Sequence, residues 1–320
     1  MKTNKGFTLI ELLVVIAIIG LLLSILIPAL NYVKQQATAI VCGANQTGLG
    51  KCWYLYQEDN DGQLVGLSNY FYSGPATSNP VGGRPTPYRW VEVPLLQDNY
   101  NPGAPPEGMN SPVAAAPFTH ELELNGIRAG NLFAYTETEK LYHCPNDKYY
   151  KKNPTWAAYI SYAGSGCMNS EDYVDGTRVG WPGTVPTSGW RTVGGVPSGG
   201  TLRLGLAQKF NEVVSPAERY MIVEEDYVMH NQQVYLGGFV LMSSGYWSWW
   251  DWPAAYHNDR STLAFADGHT EKHTWRDDRT ISIMTQTPMP GTTTIAGDSQ
   301  PNNPDLEWMI KGYMAMGFRR

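Results

Sequence analysis

The most uniformly apolar stretch of the chain lies at its N-terminus. From Phe7 to Ile27 there are 21 residues, and nearly all of them are hydrophobic. As a helix this stretch spans roughly 31 Å at ~1.5 Å per residue, which matches a hydrocarbon core of roughly 30 Å. The pattern therefore predicts a transmembrane helix. Lys2 and Lys5 precede it, which favours a cytoplasmic N-terminus and an outward-facing remainder.

Helical periodicity continues beyond the membrane-spanning stretch. Apolar and small residues recur at helical spacing, which predicts that one stripe of the helix faces a globular head. The turn-forming residues "QEDNDGQL", 57–64, then end the helix. The predicted stripe consists of Val33, Ala37, Val41, Ala44, Gly48, Cys52 and Leu55.

The later part of the chain carries strand patterns. An apolar strand, "RYMIV", precedes three acids at 224–226. A β-prone run at 262–266, the turn pair Asp267-Gly268 and a second run at 270–275 together predict a hairpin. The tail after Asp298 has a Pro/Asn-rich linker and then an apolar stretch, which fits either a terminal helix or a terminal strand.

Composition extends this picture to the fold class. The chain has 33 Gly, 22 Pro, 11 Trp and 20 Tyr, and only 16% of its residues are charged. We expect an α+β fold: a long N-terminal helix, transmembrane and then amphipathic, packed on a loop-rich antiparallel β-sheet head. Inserted loops are expected at 65–130 and 175–201. The formal charge of −6, without a basic stripe, excludes nucleic acid as an expected partner.

Glu11 interrupts the apolar N-terminal stretch. A carboxylate at membrane depth costs roughly 2–3 kcal/mol, and such residues usually have a partner. A secretory signal peptide is disfavoured, because the stretch is too long and no small-x-small cleavage site follows it. A plain membrane anchor remains an alternative, but it leaves Glu11 unexplained.

Lys5-Gly6-Phe7-Thr8-Leu9-Ile10-Glu11 resembles the processing site of type IV prepilins and type II secretion pseudopilins. The resemblance implies that a membrane peptidase cuts after Gly6 and methylates Phe7. It also implies that Glu11 pairs with the α-amine of the neighbouring subunit's Phe7 in a filament, where two charges are tolerated together. Pro28 matches the position where the family often has a helix kink.

The resemblance also implies a pilin-like domain layout. The expected parts are a leader at 1–6, a transmembrane helix at 7–30, an extramembrane half of the helix at 31–60 and a globular head at 61–320. The implied location is the inner membrane, crossed once, with the head periplasmic or extracellular, in a surface filament as a further option. The implied partners are identical or related pilin subunits, the prepilin peptidase, the inner-membrane assembly machinery and membrane lipid.

Three further segments narrow the resemblance. "CGANQTGLGKCWYLYQEDNDGQ", "LYHCPND" and His257 followed after nine residues by Asp267-Gly268 resemble a prepilin-like group named for its His-x9-Asp-Gly element. The group implies filament-type processing rather than a defined biochemical task. From the residues alone, we expect His257 to reach back to Asp267 in a structural hydrogen bond that fixes the hairpin.

Four cysteines in an oxidising compartment predict disulfides. Ten helical steps separate Cys42 and Cys52 by about 15 Å, whereas a bridge needs Cα atoms within about 7 Å. Spacing therefore disfavours a 42–52 bridge and leaves two connectivities open. The resemblance implies the pair Cys42–Cys144, which leaves Cys52–Cys167 as the second.

Two segments carry patterns related to metal binding. Asp59-Asn60-Asp61-Gly62 resembles the start of a calcium loop, but Tyr70 stands where that loop needs Glu, so a turn is favoured over a site at Asp59 and Asp61. His269 and His273 have a spacing that suits zinc on a helix; on a strand they lie about 13 Å apart. No resident cofactor is expected, with calcium as the alternative.

Catalytic patterns are missing from the sequence. There is no His-Glu-x-x-His, no Gly-x-Ser-x-Gly and no phosphate loop. The acids at 224–226 are interpreted as a solvated strand end rather than as a glycosidase pair. We therefore expect a structural protein rather than an enzyme.

A tryptophan cluster supports an alternative function. Four indoles within six residues could stack against sugars or a partner protein, or could form a local core. The leading hypothesis is a filament subunit; a binding module displayed on a membrane or filament and an anchored enzyme are the alternatives. The cluster consists of Trp247, Trp249, Trp250 and Trp252.

Overall fold

The computed structural model describes the long N-terminal helix and most of the head's core. The described residues are 8–67, 89–91, 120–148, 151, 159–169, 190–194, 201–205, 207–226, 237–239, 241, 246–249, 251–285, 299–315 and 318–319.

The first helix, α1, runs unbroken from Leu9 to Asp59, which is 51 residues and about 76 Å. It therefore combines the predicted transmembrane and extramembrane halves in one element, with Pro28 inside it. The helix ends where the sequence predicts, since Asp61 and Gly62 adopt positive φ angles of 53° and 75° and turn the chain back toward the head.

The head contains shorter helices and eight described strands. The helices are α2 (His120–Ala129), α3 (Phe133–Thr136), α4 (Asp278–Thr285) and α5 (Pro304–Tyr313), with 3₁₀ turns at Glu139–Tyr142, Phe210–Glu212 and Pro216–Glu218. The strands are β1 (Tyr162–Ser165), β2 (Trp190–Gly194), β3 (Thr201–Gly205), β4 (Tyr220–Glu224), β5 (Gly238–Phe239), β6 (Arg260–Phe265), β7 (Thr270–Thr274) and β8 (Phe318–Arg319).

The central sheet has the strand order β5-β1-β4-β6-β7. Its middle is one lateral row in which Val223 of β4 pairs with Ala163 of β1 on one side and with Leu263 of β6 on the other. The predicted α+β fold, a long helix packed on a β-sheet head, is confirmed, and the central sheet is antiparallel except that β5 pairs parallel to β1. Parallel neighbours need a long connection, which hairpin patterns in the sequence do not report. Strands β2, β3 and β8 form a separate antiparallel sheet.

The predicted hairpin is confirmed by β6 and β7. Their register runs from Arg260 opposite Thr274 to Ala264 opposite Thr270. Gly268 lies in the connection with a φ of 91°, a conformation that glycine adopts at little cost.

The extramembrane half of α1 packs against β6, β7 and the 3₁₀ turn Glu139–Tyr142. The predicted stripe is wrong in phase: only Cys52 is buried among its seven residues, whereas Val33, Val41 and Leu55 are exposed. The prediction counted apolar side chains only, but the buried face also includes two glutamines. That face consists of Ala39, Cys42, Gln46, Leu49, Gly50, Cys52, Trp53, Tyr56 and Gln57.

Two loop predictions and the tail are resolved by the described residues. Helix α2 lies inside the expected loop 65–130, and β2 lies inside the expected loop 175–201, so both loop predictions are wrong at those positions. The tail forms a helix, α5, followed by strand β8. Asn303 caps α5 by accepting hydrogen bonds from the backbone of Asp305 and Leu306, as an Asx residue at an N-cap does.

Candidate assembly helix and buried thiol, imidazole and carboxylate cluster

The N-terminal end of α1 is a capping box formed by Thr8 and Glu11. The Thr8 hydroxyl accepts from the Glu11 backbone N–H at 3.3 Å, and the Glu11 carboxylate accepts from the Thr8 backbone N–H at 2.8 Å. Glu11 thus has a partner within its own chain, which sequence reasoning missed. The predicted processing residues Gly6 and Phe7 lie outside the described residues.

The N-terminal half of α1 presents its apolar side chains outward. An 18-residue window of the helix has a mean hydropathy of 3.1, and none of that window is buried. By length and composition this is a helix able to cross a membrane. Such a surface needs either lipid or other helices around it.

The extramembrane half is fixed to the head by polar contacts as well as packing. The Gln46 side chain donates to the backbone carbonyl of Thr262 in β6 at 3.0 Å, and the hydroxyls of Thr47 and Thr270 lie 2.7 Å apart. A buried amide needs such a partner, because an unpaired one costs free energy. These bonds set the position of α1 over the sheet.

Beneath this half lies a cluster of four fully buried side chains. Cys42 comes from α1, Cys144 follows the 3₁₀ turn Glu139–Tyr142, Glu224 ends β4 and His257 precedes β6. Their ligand atoms, two Sγ, one carboxylate oxygen and one ring nitrogen, all lie within 4.8 Å of one another. We call these four residues the thiol cluster.

Pairwise distances define the shape of the thiol cluster. The two Sγ atoms lie 2.7 Å apart, Cys144 Sγ lies 3.5 Å from His257 Nε2, and His257 Nε2 lies 3.0 Å from Glu224 Oε1. Burial alone would lower the pKa of His257, but its contacts with Cys144 and Glu224 outweigh burial and raise that pKa to about 10. Burial raises the pKa of the Cys144 thiol well above its usual range.

Neighbouring groups orient the ligand atoms. The other carboxylate oxygen of Glu224, Oε2, accepts from the Thr262 backbone N–H at 2.8 Å. The other ring nitrogen of His257, Nδ1, lies 3.5 Å from the Thr38 hydroxyl. The buried Tyr162 hydroxyl adjoins the Cys42 thiol. The first two contacts use the outer atoms of Glu224 and His257 and so leave Oε1 and Nε2 facing the centre of the cluster.

The predicted hydrogen bond between His257 and Asp267 is wrong. His257 contacts Glu224 instead, while Asp267 accepts from the Nδ1 of His269 at 2.5 Å and from its backbone N–H at 3.1 Å. Nine residues separate His257 from Asp267, and the six of them that form β6 span about 20 Å of extended chain. The two ends of the His-x9-Asp-Gly motif therefore lie in different parts of the head. His257 belongs to the thiol cluster, and Asp267-Gly268 forms the hairpin turn.

The interpretation of the acids at 224–226 as a solvated strand end is wrong for two of them. Glu224 and Glu225 are buried, because β4 is the middle strand of the five and its end lies inside the head. An acid that follows an apolar strand and is itself enclosed must have polar partners. From the sequence, Glu224 could therefore have been identified as a candidate buried acid. Its partner His257 can only be identified once β4 and β6 are known to be neighbouring strands.

The second predicted cysteine pair, Cys52 and Cys167, lies outside the thiol cluster. Cys52 and Cys167 are both buried, and their pairing stays a prediction, as does a disulfide between Cys42 and Cys144. The calcium alternative also stays a prediction: Asp59 accepts a hydrogen bond from the Tyr135 hydroxyl at 3.0 Å, and Asp61 lies in the turn after α1.

The tryptophan cluster is largely part of the core. Trp249 and Trp252 are 1% and 2% exposed, and the Trp249 indole donates to the Gln300 side chain at 3.1 Å. Trp247 is half-buried, and Trp250 lies outside the described residues. Two of the four predicted contact residues are therefore turned inward, which agrees with the local-core interpretation and not with a ligand surface.

A further buried carboxyl lies on α2. Glu123 is 1% exposed and accepts from the backbone N–H groups of Tyr159 and Ile160 at 2.7 and 2.9 Å, just before β1. Burial raises the pKa of Glu123 to about 8, although the two N–H groups act in the opposite direction. Sequence patterns gave no indication of this group.

Residues 1–27 match the family described as the prokaryotic N-terminal methylation motif. The chain thus carries this motif at the start of an outward-facing apolar helix, which is followed by an α+β head. It is 46% identical over 61 residues to the type IV wide pilus major component PilA4 of Thermus thermophilus, covering 19% of this chain and 47% of PilA4.

Two proteins of Moraxella bovis are similar over a comparably short stretch. Fimbrial protein Q and the type IV major alpha-pilin are each 49% identical over 49 residues, which is 15% of this chain and 31% of each relative. The chain thus spans less than half the length of the curated relatives it matches, and the relatives are pilus components by name. No solved structure matches the chain.

Proposed function

We propose that this protein is a structural subunit of a type IV pilus or of a type II secretion pseudopilus-like filament, assembled from the inner membrane. The observation that carries the proposal is the exposed apolar half of α1, which begins within the motif Lys5 to Glu11. In a membrane this surface is covered by lipid, and in a filament it is covered by the same helix of neighbouring subunits.

In this proposal a prepilin peptidase cuts after Gly6 and methylates Phe7, and the assembly machinery moves the mature chain from lipid into the filament. The chain crosses the membrane once, with its N-terminus in the cytoplasm and its head outside. Identical or related pilin subunits are its partners. The proposal names no reaction for the head, so the protein is not assigned an enzymatic activity.

Glu11 has two roles to separate in this proposal. One is the capping box with Thr8 within the chain; the other is a pairing with the α-amine of a neighbouring subunit's Phe7. The first is local to one helix end, and the second exists only between subunits. Removing the carboxylate abolishes both, whereas removing the Thr8 hydroxyl weakens only the cap.

We therefore expect Glu11→Ala to insert into the inner membrane as well as the unchanged chain, and to fail to enter filaments. Thr8→Ala, the matched control, keeps the carboxylate and should still assemble. Incorporation is measured by shearing filaments from cells and blotting the sheared and membrane fractions for a tagged copy. Normal assembly of Glu11→Ala would contradict the pairing role, and failure of both variants would place the defect in the cap.

Electron microscopy of the same cells distinguishes the two filament types. Surface filaments decorated by an antibody against the tag indicate a pilus. A tagged chain that stays with the cell envelope, while a secreted substrate accumulates inside cells lacking the gene, indicates a secretion pseudopilus.

A further inference from the structure

The thiol cluster brings together the ligand types of a structural zinc site. Two thiols, one imidazole and one carboxylate converge from four separate elements of the fold, and all four side chains are fully buried. Structural zinc sites use four ligands in a closed, tetrahedral arrangement, and Cys, His, Asp and Glu side chains all bind zinc. Soft thiolates together with imidazole favour zinc over magnesium or calcium.

We propose that Cys42, Cys144, Glu224 and His257 bind one Zn²⁺ ion that fastens α1 to the head. The ligand atoms would be the two Sγ atoms, Nε2 of His257 and Oε1 of Glu224. This inference is independent of the filament function, because it concerns how the head is held to its helix.

Two of the three separations lie within about 0.4 Å of those that tetrahedral zinc requires. Ligands at 2.0–2.3 Å from the metal are about 3.6 Å apart for sulfur and nitrogen and about 3.4 Å for nitrogen and oxygen. The corresponding separations here are 3.5 Å for Cys144 with His257 and 3.0 Å for His257 with Glu224. The two sulfur atoms, 2.7 Å apart, must separate by about 1 Å to reach the roughly 3.8 Å of a zinc dithiolate.

The surrounding hydrogen bonds are those of a metal site. Zinc-bound imidazoles usually donate their other ring N–H to an oxygen acceptor. Thr38 provides that acceptor: its hydroxyl proton is directed to the carbonyls of Lys34 and Gln35, so its oxygen can accept from the Nδ1–H of His257. The remaining Nε2 lone pair then faces the cluster. The Thr262 N–H holds Glu224 in the same way through Oε2.

Charge also supports a cation at this point. Two thiolates, a carboxylate and Zn²⁺ sum to −1, the same as in a Cys₃His zinc site. Coordination deprotonates both thiols, and two protons leave to solvent together with the imidazolium proton where His257 is charged. A disulfide between Cys42 and Cys144 would use the thiols alone and would leave Glu224 and His257 outside the bond; the ion uses all four groups.

Zinc and that disulfide exclude each other, so one experiment tests the proposal. The full-length chain carrying a tag free of histidine and cysteine is purified in detergent from native membranes, without added reductant. Metal content is measured by plasma mass spectrometry, and the state of the cysteines is measured by non-reducing peptide mapping. We expect about one zinc per chain and no peptide linking Cys42 to Cys144. Less than a tenth of a zinc per chain, or a linked peptide, would overturn the proposal.

Variants locate the ion and separate binding from folding. Cys144→Ser and His257→Gln should lose the zinc, whereas Cys52→Ser, a buried thiol outside the cluster, should keep it. Thr38→Val, which removes only the acceptor for His257, should weaken zinc affinity by about 10–100-fold. Zinc retained equally by Cys144→Ser would overturn the proposal.

Cobalt substitution gives a readout that does not depend on stability. Co²⁺ in place of zinc should show thiolate-to-metal absorption bands and the visible bands of a tetrahedral ion. Glu224→Gln should keep the thiolate bands and shift the visible ones, because the carboxylate contributes no sulfur transition. Cobalt spectra without thiolate bands in the unchanged chain would contradict the assignment.

Discussion

At the scale of single residues, burial determines which groups of the head carry charge. Glu123 is enclosed between α2 and the start of β1, and burial raises its pKa to about 8. Asp147 raises it further by repulsion, and the N–H groups of Tyr159 and Ile160 lower it without compensating for burial. An unfolded glutamate titrates at about 4.3, so the folded chain binds a proton there that the unfolded chain releases.

The sign of the resulting pH dependence follows from that difference. The contribution of Glu123 to the free energy of unfolding is complete below about pH 4.3 and is lost as the pH rises to about 8. The loss is on the order of 5 kcal/mol at ~1.4 kcal/mol per pKa unit. Denaturant unfolding of the full chain in detergent, compared with Glu123→Gln, measures it.

The comparison with the amide isolates Glu123 from other titrating groups. Burial lowers the pKa of His143 to about 4, and this contributes in the opposite direction between about pH 4 and 6.5. The unchanged chain should therefore lose its advantage in free energy of unfolding over Glu123→Gln as the pH rises toward 8. This holds whatever the pH dependence of either chain alone. A difference independent of pH would mean that Glu123 is ionised throughout.

At the scale of elements, local patterns were predictable and long-range ones were not. The apolar run, the turn residues at 57–64 and the Asp267-Gly268 pair each specify their element within a few residues, so α1 and the hairpin β6–β7 follow from sequence. The parallel pairing of β5 with β1 joins segments more than seventy residues apart, and no short pattern encodes it.

The thiol cluster likewise combines residues that the sequence indicated with one that only the fold brings to them. The resemblance to the His-x9-Asp-Gly group draws attention to His257, and the cysteine pair that it implies draws attention to Cys42 and Cys144. The carboxylate of Glu224 reaches them because β4 lies beside β6 in the sheet. Tertiary contact, rather than spacing along the chain, assembles the site.

Helix α1 also offers a test of how it packs on the head. A Cβ atom at Gly43 would meet only the Thr270 side chain, at 3.7 Å, whereas one at Gly164 in β1 would lie 2.1 Å from the Leu67 carbonyl oxygen. We expect Gly43→Ala to stabilise the chain by about 0.5–1 kcal/mol, because alanine favours the helix. Gly164→Ala should destabilise it. Thermal unfolding measures the stability of both variants. A loss of stability in Gly43→Ala would show that a Cβ atom at this position lies closer to Thr270 than 3.7 Å.

At the scale of the whole molecule, α1 has two halves with different surroundings. Its first half is apolar and exposed, and its second half is buried against the head on one face. The apolar run located this division in the sequence, while the phase of the buried face depended on Gln46 and its partner carbonyl on Thr262.

Cleavage of the N-terminal leader would change the charge and the mass of the whole chain. Cleavage after Gly6 removes Lys2 and Lys5 and takes the formal charge from −6 to −8. Intact mass should give a chain that begins with methylated Phe7, and Gly6→Val should retain the full precursor in the membrane. A chain cut beyond Ala29, or one left uncut in a strain with active prepilin peptidase, would favour a secretory or plain-anchor protein.

The side-on docking of α1 has a mechanical consequence. The buried face extends from Ala39 to Gln57, about 28 Å of helix lying along the head. A pull along the helix axis, such as extraction from lipid or tension on a fibre, loads these contacts in shear, so that they share the force and do not open one after another. The head would then resist detachment most strongly against a pull along the axis of α1.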